Sequence, residues 1–344
     1  MQALCKVEPA LGGIAIREVE QRAPGAGEIG IRVAAAGICG TDMQIWRWAP
    51  RMARRMQLPR VLGHEVSGEI ESLGAGVTHL KLGDRVTLES HIYCGQCATC
   101  RRGRAHLCEH TRYPGIDIDG GFAPHVVVPA SIAWVNPPEL PHEIAAMLEP
   151  FGIAVHASLA GSGVSGQSVL VNGCGPIGLM NVAAARALGA RVVIAADPNP
   201  LRRKTALMMG ADHAIDPGEA DTAARARALT GGLGVDVGIE YSGTEAGFRS
   251  VFDSLCKGAD FRLVGAPPEA ISVDFTWWLL KCPTMINIHG RRIWDTWTVS
   301  TALVLEGKVD LRPIASHVLP LHDAARGFDL ILRGEALKPI LVPG

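Results

Sequence analysis

Four of the nine cysteines fall within fifteen residues, as Cys94, Cys97, Cys100 and Cys108 in the pattern C-x2-C-x2-C-x7-C. Four thiolates can surround one zinc ion tetrahedrally, and two-residue gaps let a tight knuckle present successive sulfurs to one point. Gly95 and Gly103 supply the backbone freedom such turns need. An iron–sulfur cluster and unrelated buried thiols are the competing readings. Bacterial ferredoxin spacing begins alike, but its fourth cysteine follows sooner and precedes proline, whereas Cys108 precedes Glu109. Zinc is therefore expected here. With every position filled by protein it leaves no room for substrate, so it is a structural ion.

A second constellation points to a nucleotide. Gly173, Gly175 and Gly178 spell G-x-G-x-x-G directly after the apolar run Ser168 to Asn172, with Pro176 and Ile177 opening the helix that follows. The first glycine permits the turn, the second lets a pyrophosphate approach the backbone, and the third allows close helix–strand packing. The helix N-terminus adds unpaired N–H groups and a positive dipole end. Such a turn can serve packing alone. Here, however, the next apolar run ends at Asp197, where a carboxylate can hold ribose hydroxyls and would repel a 2′-phosphate. NAD is the expected cofactor; Arg202 and Arg203 lie close enough to stack on adenine or to meet a phosphate.

A third set is dispersed. Cys39 stands between glycines in Gly37–Asp42, His64 and Glu65 follow Gly63, and Glu149 precedes Pro150. Cysteine, histidine and carboxylate are suitable zinc ligands, and three of them with one open position make a catalytic site. Taken singly, a core histidine, a buried apolar thiol and a capping carboxylate explain the same residues.

The elements that must position these groups divide the chain. Short β-type runs cut by glycine and proline fill the first third, among them Ile29 to Ala34, Val66 to Ser72, Arg85 to Leu88 and Ala123 to Val128. From about Gly166 strands and helices alternate, which predicts a parallel sheet covered on both faces. The expected fold is α/β: a Rossmann-type doubly wound sheet over 151–294, and a strand-rich domain over 1–150 and 295–344 that carries the four-cysteine lobe. The tail is read as helical, then extended, ending in Pro339 to Val342.

Composition narrows the partners. A formal charge of −1 with mixed signs argues against nucleic acid or a membrane surface held by bulk electrostatics. The one basic cluster, Arg47, Arg51, Arg54, Arg55 and Arg60, reads as a solvated loop or subunit contact, with anionic-substrate binding as the alternative. Neither a secretory signal nor an apolar run long enough for a membrane span is visible. Clustered thiols and an odd cysteine count suit a reducing compartment, the cytoplasm.

Taken together, A-G-I-C-G-T-D, L-G-H-E-V-S-G-E-I, L-G-D-R-V, the cysteine lobe and N-G-C-G-P-I-G-L resemble the zinc-containing medium-chain dehydrogenase/reductase superfamily over essentially the whole chain. E-S-H-I-Y-C-G-Q-C, E-P-F-G-I-A-V-H-A, I-H-G-R and R-I-W-D-T-W are most similar to its L-threonine 3-dehydrogenase branch. The resemblance implies a GroES-like first domain and a catalytic zinc on Cys39, His64 and Glu149. Glu65 is either an exchanging fourth ligand or an outer group. Thr41 would begin the proton path, and His91 would lie beside the substrate. Val264, Gly265 and Ala266, with Ile288 and Gly290, would line the nicotinamide. It further implies hydride transfer from a small polar alcohol to NAD, and a homo-oligomer, dimer or tetramer.

Two positions depart from the branch. Gln44 stands where a histidine is usual, and glutamine can hydrogen-bond but not act as terminal acid or base. Ile153 replaces an asparagine after E-P-F-G. The expected reaction is oxidation of a secondary alcohol, most simply a β-hydroxy amino acid such as L-threonine. The alternatives are a polyol, aminocyclitol or vicinal-diol dehydrogenase, and a non-catalytic dinucleotide-binding protein. Trp46, Arg47 and Trp48 could wall a polar substrate or simply pack a loop.

Overall fold

The structure, a computed structural model, describes residues 1–344. It divides into two compact units, Met1–Glu149 with Ala315–Gly344, and Pro150–Ile314.

The first unit is built on two sheets. The smaller pairs Ile14–Glu18, Gln2–Lys6 and Arg60–Val61. The larger runs in the order His317–Pro320, Pro339–Val342, Glu28–Gly37, Glu65–Leu73, Arg85–Leu88 and Ala133–Val135, with His125–Pro129 also paired to Glu28–Gly37. Ile29, Ile31, Val33, Val66, Ile70, Val86 and Leu88 meet Phe122 and Phe328 in one core. Each such side chain contributes roughly 1.5–3 kcal/mol on burial.

Register decides what this sheet presents at one end. Gly37 pairs Glu65, Ser67 pairs Thr87, and Ile340 pairs Gly37, all antiparallel. Carried on past Ile340 and held by the Ile38 amide on the Pro339 carbonyl, the last of these registers sets Cys39 beside Lys338.

The second unit is a six-stranded parallel sheet in the order His213–Ile215, Val192–Ala196, Ser168–Asn172, Val235–Glu240, Leu255–Leu263, Thr284–Asn287. Counted along the chain this is 3-2-1-4-5-6, the doubly wound order expected of a dinucleotide-binding unit. Leu170, Ile194, Phe248, Val251, Phe252 and Phe261 form its core, with the Phe248 and Phe261 rings edge-on at 4.9 Å. The strand order reverses between Ser168–Asn172 and Val235–Glu240, so Asn172 and Glu240 mark the switch point where such sheets bind ligands.

The division differs from the expected one at the tail, since residues 295–314 lie with the second unit. The helix Asp295–Leu305 buries Thr296, Trp297, Ser300, Thr301 and Leu303, and only His317–Pro320 begins the return to the first unit's sheet. No helix is long and apolar enough to cross a membrane.

Candidate active site

Gly173, Gly175 and Gly178 form a tight turn leading from the strand Ser168–Asn172 into the helix Pro176–Ala187. Gly173 has φ +88°, and a Cβ there would lie 2.6 Å from the Ser242 nitrogen; one on Gly178 would lie 2.0 Å from the Gly173 carbonyl oxygen. Gly175 is the N-cap of the helix Pro176–Ala187, and its Cβ position opens on space. That open, amide-lined turn fits a pyrophosphate.

Asp197 is 2 % exposed and already engaged. Its Oδ2 accepts from the Cys174 amide at 2.8 Å and from Arg202 Nη1 at 3.5 Å, while Oδ1 accepts from the Asn199 amide at 2.8 Å. The carboxylate thus pins the second strand to the glycine turn. Arg203 donates to the carbonyls of Asp197 and Pro198 and pairs with Asp216 at 2.6 Å, so Arg202 is the arginine that faces Asp197.

Glu240, which the sequence reading passed over, occupies the switch point. It accepts from Asn172 Nδ2 at 2.6 Å, from the Gly243 amide at 2.9 Å and from the Ser242 hydroxyl. Burial pushes its carboxyl up, against those hydrogen bonds. The amides of Val264 and Gly265 donate to the Glu240 carbonyl, which sets the loop through Ala266; the Ile288 amide donates to Leu263, and the Gly290 carbonyl accepts from His156.

In the cysteine lobe the sulfurs of Cys94, Cys97, Cys100 and Cys108 lie within 4.8 Å of one another. Backbone amides of Cys94, Cys97, Cys100 and His110 point at sulfurs at 3.3–3.4 Å. Such amides stabilise thiolate, and they lower Cys97 to about 6. Burial and the neighbouring thiols instead raise Cys100 to about 12. Four clustered sulfurs do not all ionise unaided, whereas a dication lets them, so the donor set fits zinc.

The dispersed residues also come together. Ligand atoms of Cys39, His64 and Glu65 lie within 4.8 Å of one another. Cys39 caps the helix Gly40–Trp46, its amide donating to Asp42 Oδ2 at 2.9 Å. His64 Nδ1 and Asp42 Oδ1 are buried without hydrogen-bond partners. Burial opposes charge on His64, but Cys39, then Asp42 and Glu149, push it up to about 10. A buried imidazole among a thiol and three carboxyls is a donor set that fits a zinc ion. Glu149 is buried at the start of the helix Leu148–Leu159, where its charge bears on Asp42, His64 and Glu65. It stands outside the tight trio. Lys338, also not foreseen, donates to Glu65 Oε1 at 2.7 Å and Oε2 at 2.8 Å.

Residues 25–142 match the family model for the alcohol dehydrogenase GroES-like domain, and residues 176–306 that for zinc-binding dehydrogenases. The chain is 39 % identical to the L-threonine 3-dehydrogenase of Thermococcus kodakarensis, over 100 % of this chain and 98 % of that protein. The chain belongs to the zinc-containing medium-chain dehydrogenases, in their L-threonine 3-dehydrogenase branch. Among solved structures it is similar to an alcohol dehydrogenase from Thermus sp. ATN1, with TM-score 0.91 and 31 % identity, covering 99 % of each chain. It also resembles a short chain alcohol dehydrogenase from E. coli CFT073 complexed with NADH, with TM-score 0.91, 27 % identity and 99 % of each chain covered. The chain is an enzyme, a dehydrogenase, which sets aside the non-catalytic reading.

In this dehydrogenase His91 is buried, and its Nδ1 meets Glu89 Oε1 at 2.8 Å, the oxygen that also accepts from the His91 amide. The ring stands edge-on to Tyr113 at 4.9 Å. Glu89 thereby holds the imidazole through Nδ1. Glu89 opens the E-S-H-I-Y-C-G-Q-C segment, two residues before His91, but the sequence reading gave it no role. Thr41 is half-buried and Gln44 exposed on the helix headed by Cys39. Ile153 is half-buried in the helix Leu148–Leu159. Of the basic cluster, Arg55 forks onto Asp117 at 2.7 and 2.8 Å and Arg60 pairs with Asp119 at 2.8 Å, which favours the surface-loop reading for those two.

Proposed function

We propose that this enzyme oxidises the secondary alcohol of a β-hydroxy amino acid, L-threonine first, and passes hydride to NAD. The observation that carries the reading is the Cys39–His64–Glu65 cluster at the sheet end, beside Glu149. Cys39, His64 and Glu149 would hold a catalytic zinc, and Cys94, Cys97, Cys100 and Cys108 a structural one. When bound, the catalytic zinc supplies a Lewis acid that makes an alcohol acidic enough to ionise near neutral pH. NAD supplies the hydride acceptor.

The residues do the rest. Asp42 holds the turn that carries Cys39, and Thr41 is the first carrier of the alcohol proton. Gln44 cannot accept that proton, so it leaves by water or another group. Glu89 holds His91, which would lie beside the substrate. The amides around Gly173–Gly178, with Pro176 and Ile177, receive the pyrophosphate. Asp197 disfavours a 2′-phosphate, and Arg202 lies beside the ribose. Val264, Gly265, Ala266, Ile288 and Gly290 line the nicotinamide.

Absorbance of NADH during a screen of hydroxy amino acids against polyols tests the substrate. Faster turnover of L-threonine than of any diol supports the reading. Preference for a polyol or vicinal diol overturns it in favour of the alternative that Gln44 and Ile153 suggest.

The chain also reads as a cytoplasmic homo-oligomer. The strand Thr284–Asn287 ends its sheet with one edge unpaired, and in the preceding helix Phe275–Lys281, Phe275 and Leu279 are 81 % and 74 % exposed. Open edges and apolar patches of this kind are normally covered. A monomer by light scattering contradicts this part.

A further inference from the structure

We infer that Lys338 is a positioning residue for the metal-binding end of the sheet, one that keeps Glu65 a displaceable neighbour of the metal and so leaves a position open to the alcohol. This rests on the reading of Cys39 and His64 as zinc ligands.

The geometry is close and fully buried. Lys338 Nζ lies 2.7 Å from Glu65 Oε1, 2.8 Å from Oε2 and 3.2 Å from the Ile38 carbonyl oxygen. An ammonium has three donors, and all three have a partner here. The lysine immediately precedes the strand Pro339–Val342, and the Ile38 amide donates to the Pro339 carbonyl at 3.0 Å, so the arm starts from a backbone locked beside Cys39. On its other side Glu65 lies against Gly37, where a Cβ would fall 2.3 Å from Oε2. Glu65 is thus wedged between a bare backbone and a cation.

The chemistry follows from charge and lone pairs. Ligand atoms of Glu65 sit within 4.8 Å of those of Cys39 and His64, near enough to bind the same ion. Yet both carboxylate oxygens already accept from Lys338, and that charge offsets the one the metal would otherwise feel. Groups one shell removed tune ligands in this manner, and losing them typically costs 10- to 100-fold in metal affinity or activity. Without the ammonium, Glu65 would be a buried unpaired carboxylate whose best partner is the metal. The open position would then be closed.

The test uses the full-length enzyme with cobalt(II) exchanged for zinc and imidazole as the probe. In the wild type, imidazole should shift the visible cobalt bands. K338M should retain cobalt, lose that shift and lose activity roughly 10- to 100-fold. K338R should keep both. The double variant K338M/E65L, which leaves no buried charge of this pair, should regain the shift, and it decides the matter alone if K338M does not fold. A wild-type response in K338M, or a silent double variant, overturns the inference while leaving the zinc reading intact. A wild-type chain holding one zinc, confined to the cysteine lobe, overturns both.

Discussion

In the four-cysteine lobe every donor comes from one stretch of fifteen residues, and the amides of that stretch point at its own sulfurs. At the Cys39 cluster the groups come from residues 38 to 338, brought together by the register of three strands. The lobe tunes its thiols with local hydrogen bonds, as at Cys97. The second cluster tunes His64 and Lys338 with the side chains packed around them, Cys39, Asp42, Glu65 and Glu149 among them. Burial alone would lower Lys338, but Glu65 and Cys39 outweigh it and hold the ammonium above its ordinary range. A local staple tolerates chemistry elsewhere in the molecule. A site assembled by register depends on the whole sheet.

The largest expected effect comes from Cys39→Ser. Turnover should fall by several kcal/mol of transition-state stabilisation, on the order of 10³-fold or more, while NAD titration is unchanged and one zinc remains. Loss of both zincs would mean the two sites are not independent, and loss of NAD binding in a folded variant would contradict the separation of phosphate turn and metal cluster.

Cys97→Ser should act the other way round. It should release the lobe zinc and lower Tm by roughly 10 °C, since the metal's binding energy is folding energy, with any fall in kcat following the loss of folded protein. Calorimetry with metal analysis checks this; a full loss of turnover at unchanged Tm would place the lobe in the chemistry.

Gln44→His is the smallest change. It should raise kcat by less than about tenfold and add a limb to the pH–rate profile near 6.5, the ordinary value of an exposed imidazole. Here the group must be neutral to take a proton, so the added rate is present above that pH and lost as pH falls through it. An unchanged profile would show that proton exit is not limited at this helix.

Much of the fold was legible because its signals are local. Alternating apolar runs placed Glu28–Gly37 and Glu65–Leu73, and the G-x-G-x-x-G turn with Asp197 placed two strands and a helix to within a few residues. Residues 295–314 fall with the second unit where the first was expected, since an apolar helix carries no mark in sequence of which core it joins. Asp197 itself was read as facing ligand, yet its carboxylate also closes the glycine turn through the Cys174 amide, a contact no periodicity reports.

By itself the sequence determined whatever depends on neighbours a few residues apart: the cysteine knuckles, the glycine turn, the helix opening at Pro176, and the parallel sheet they imply. Tertiary structure alone decided that Lys338 meets Glu65 and that Glu240 joins Asn172. Those pairs are set by strand register, and register is a property of how distant strands bury their apolar faces together.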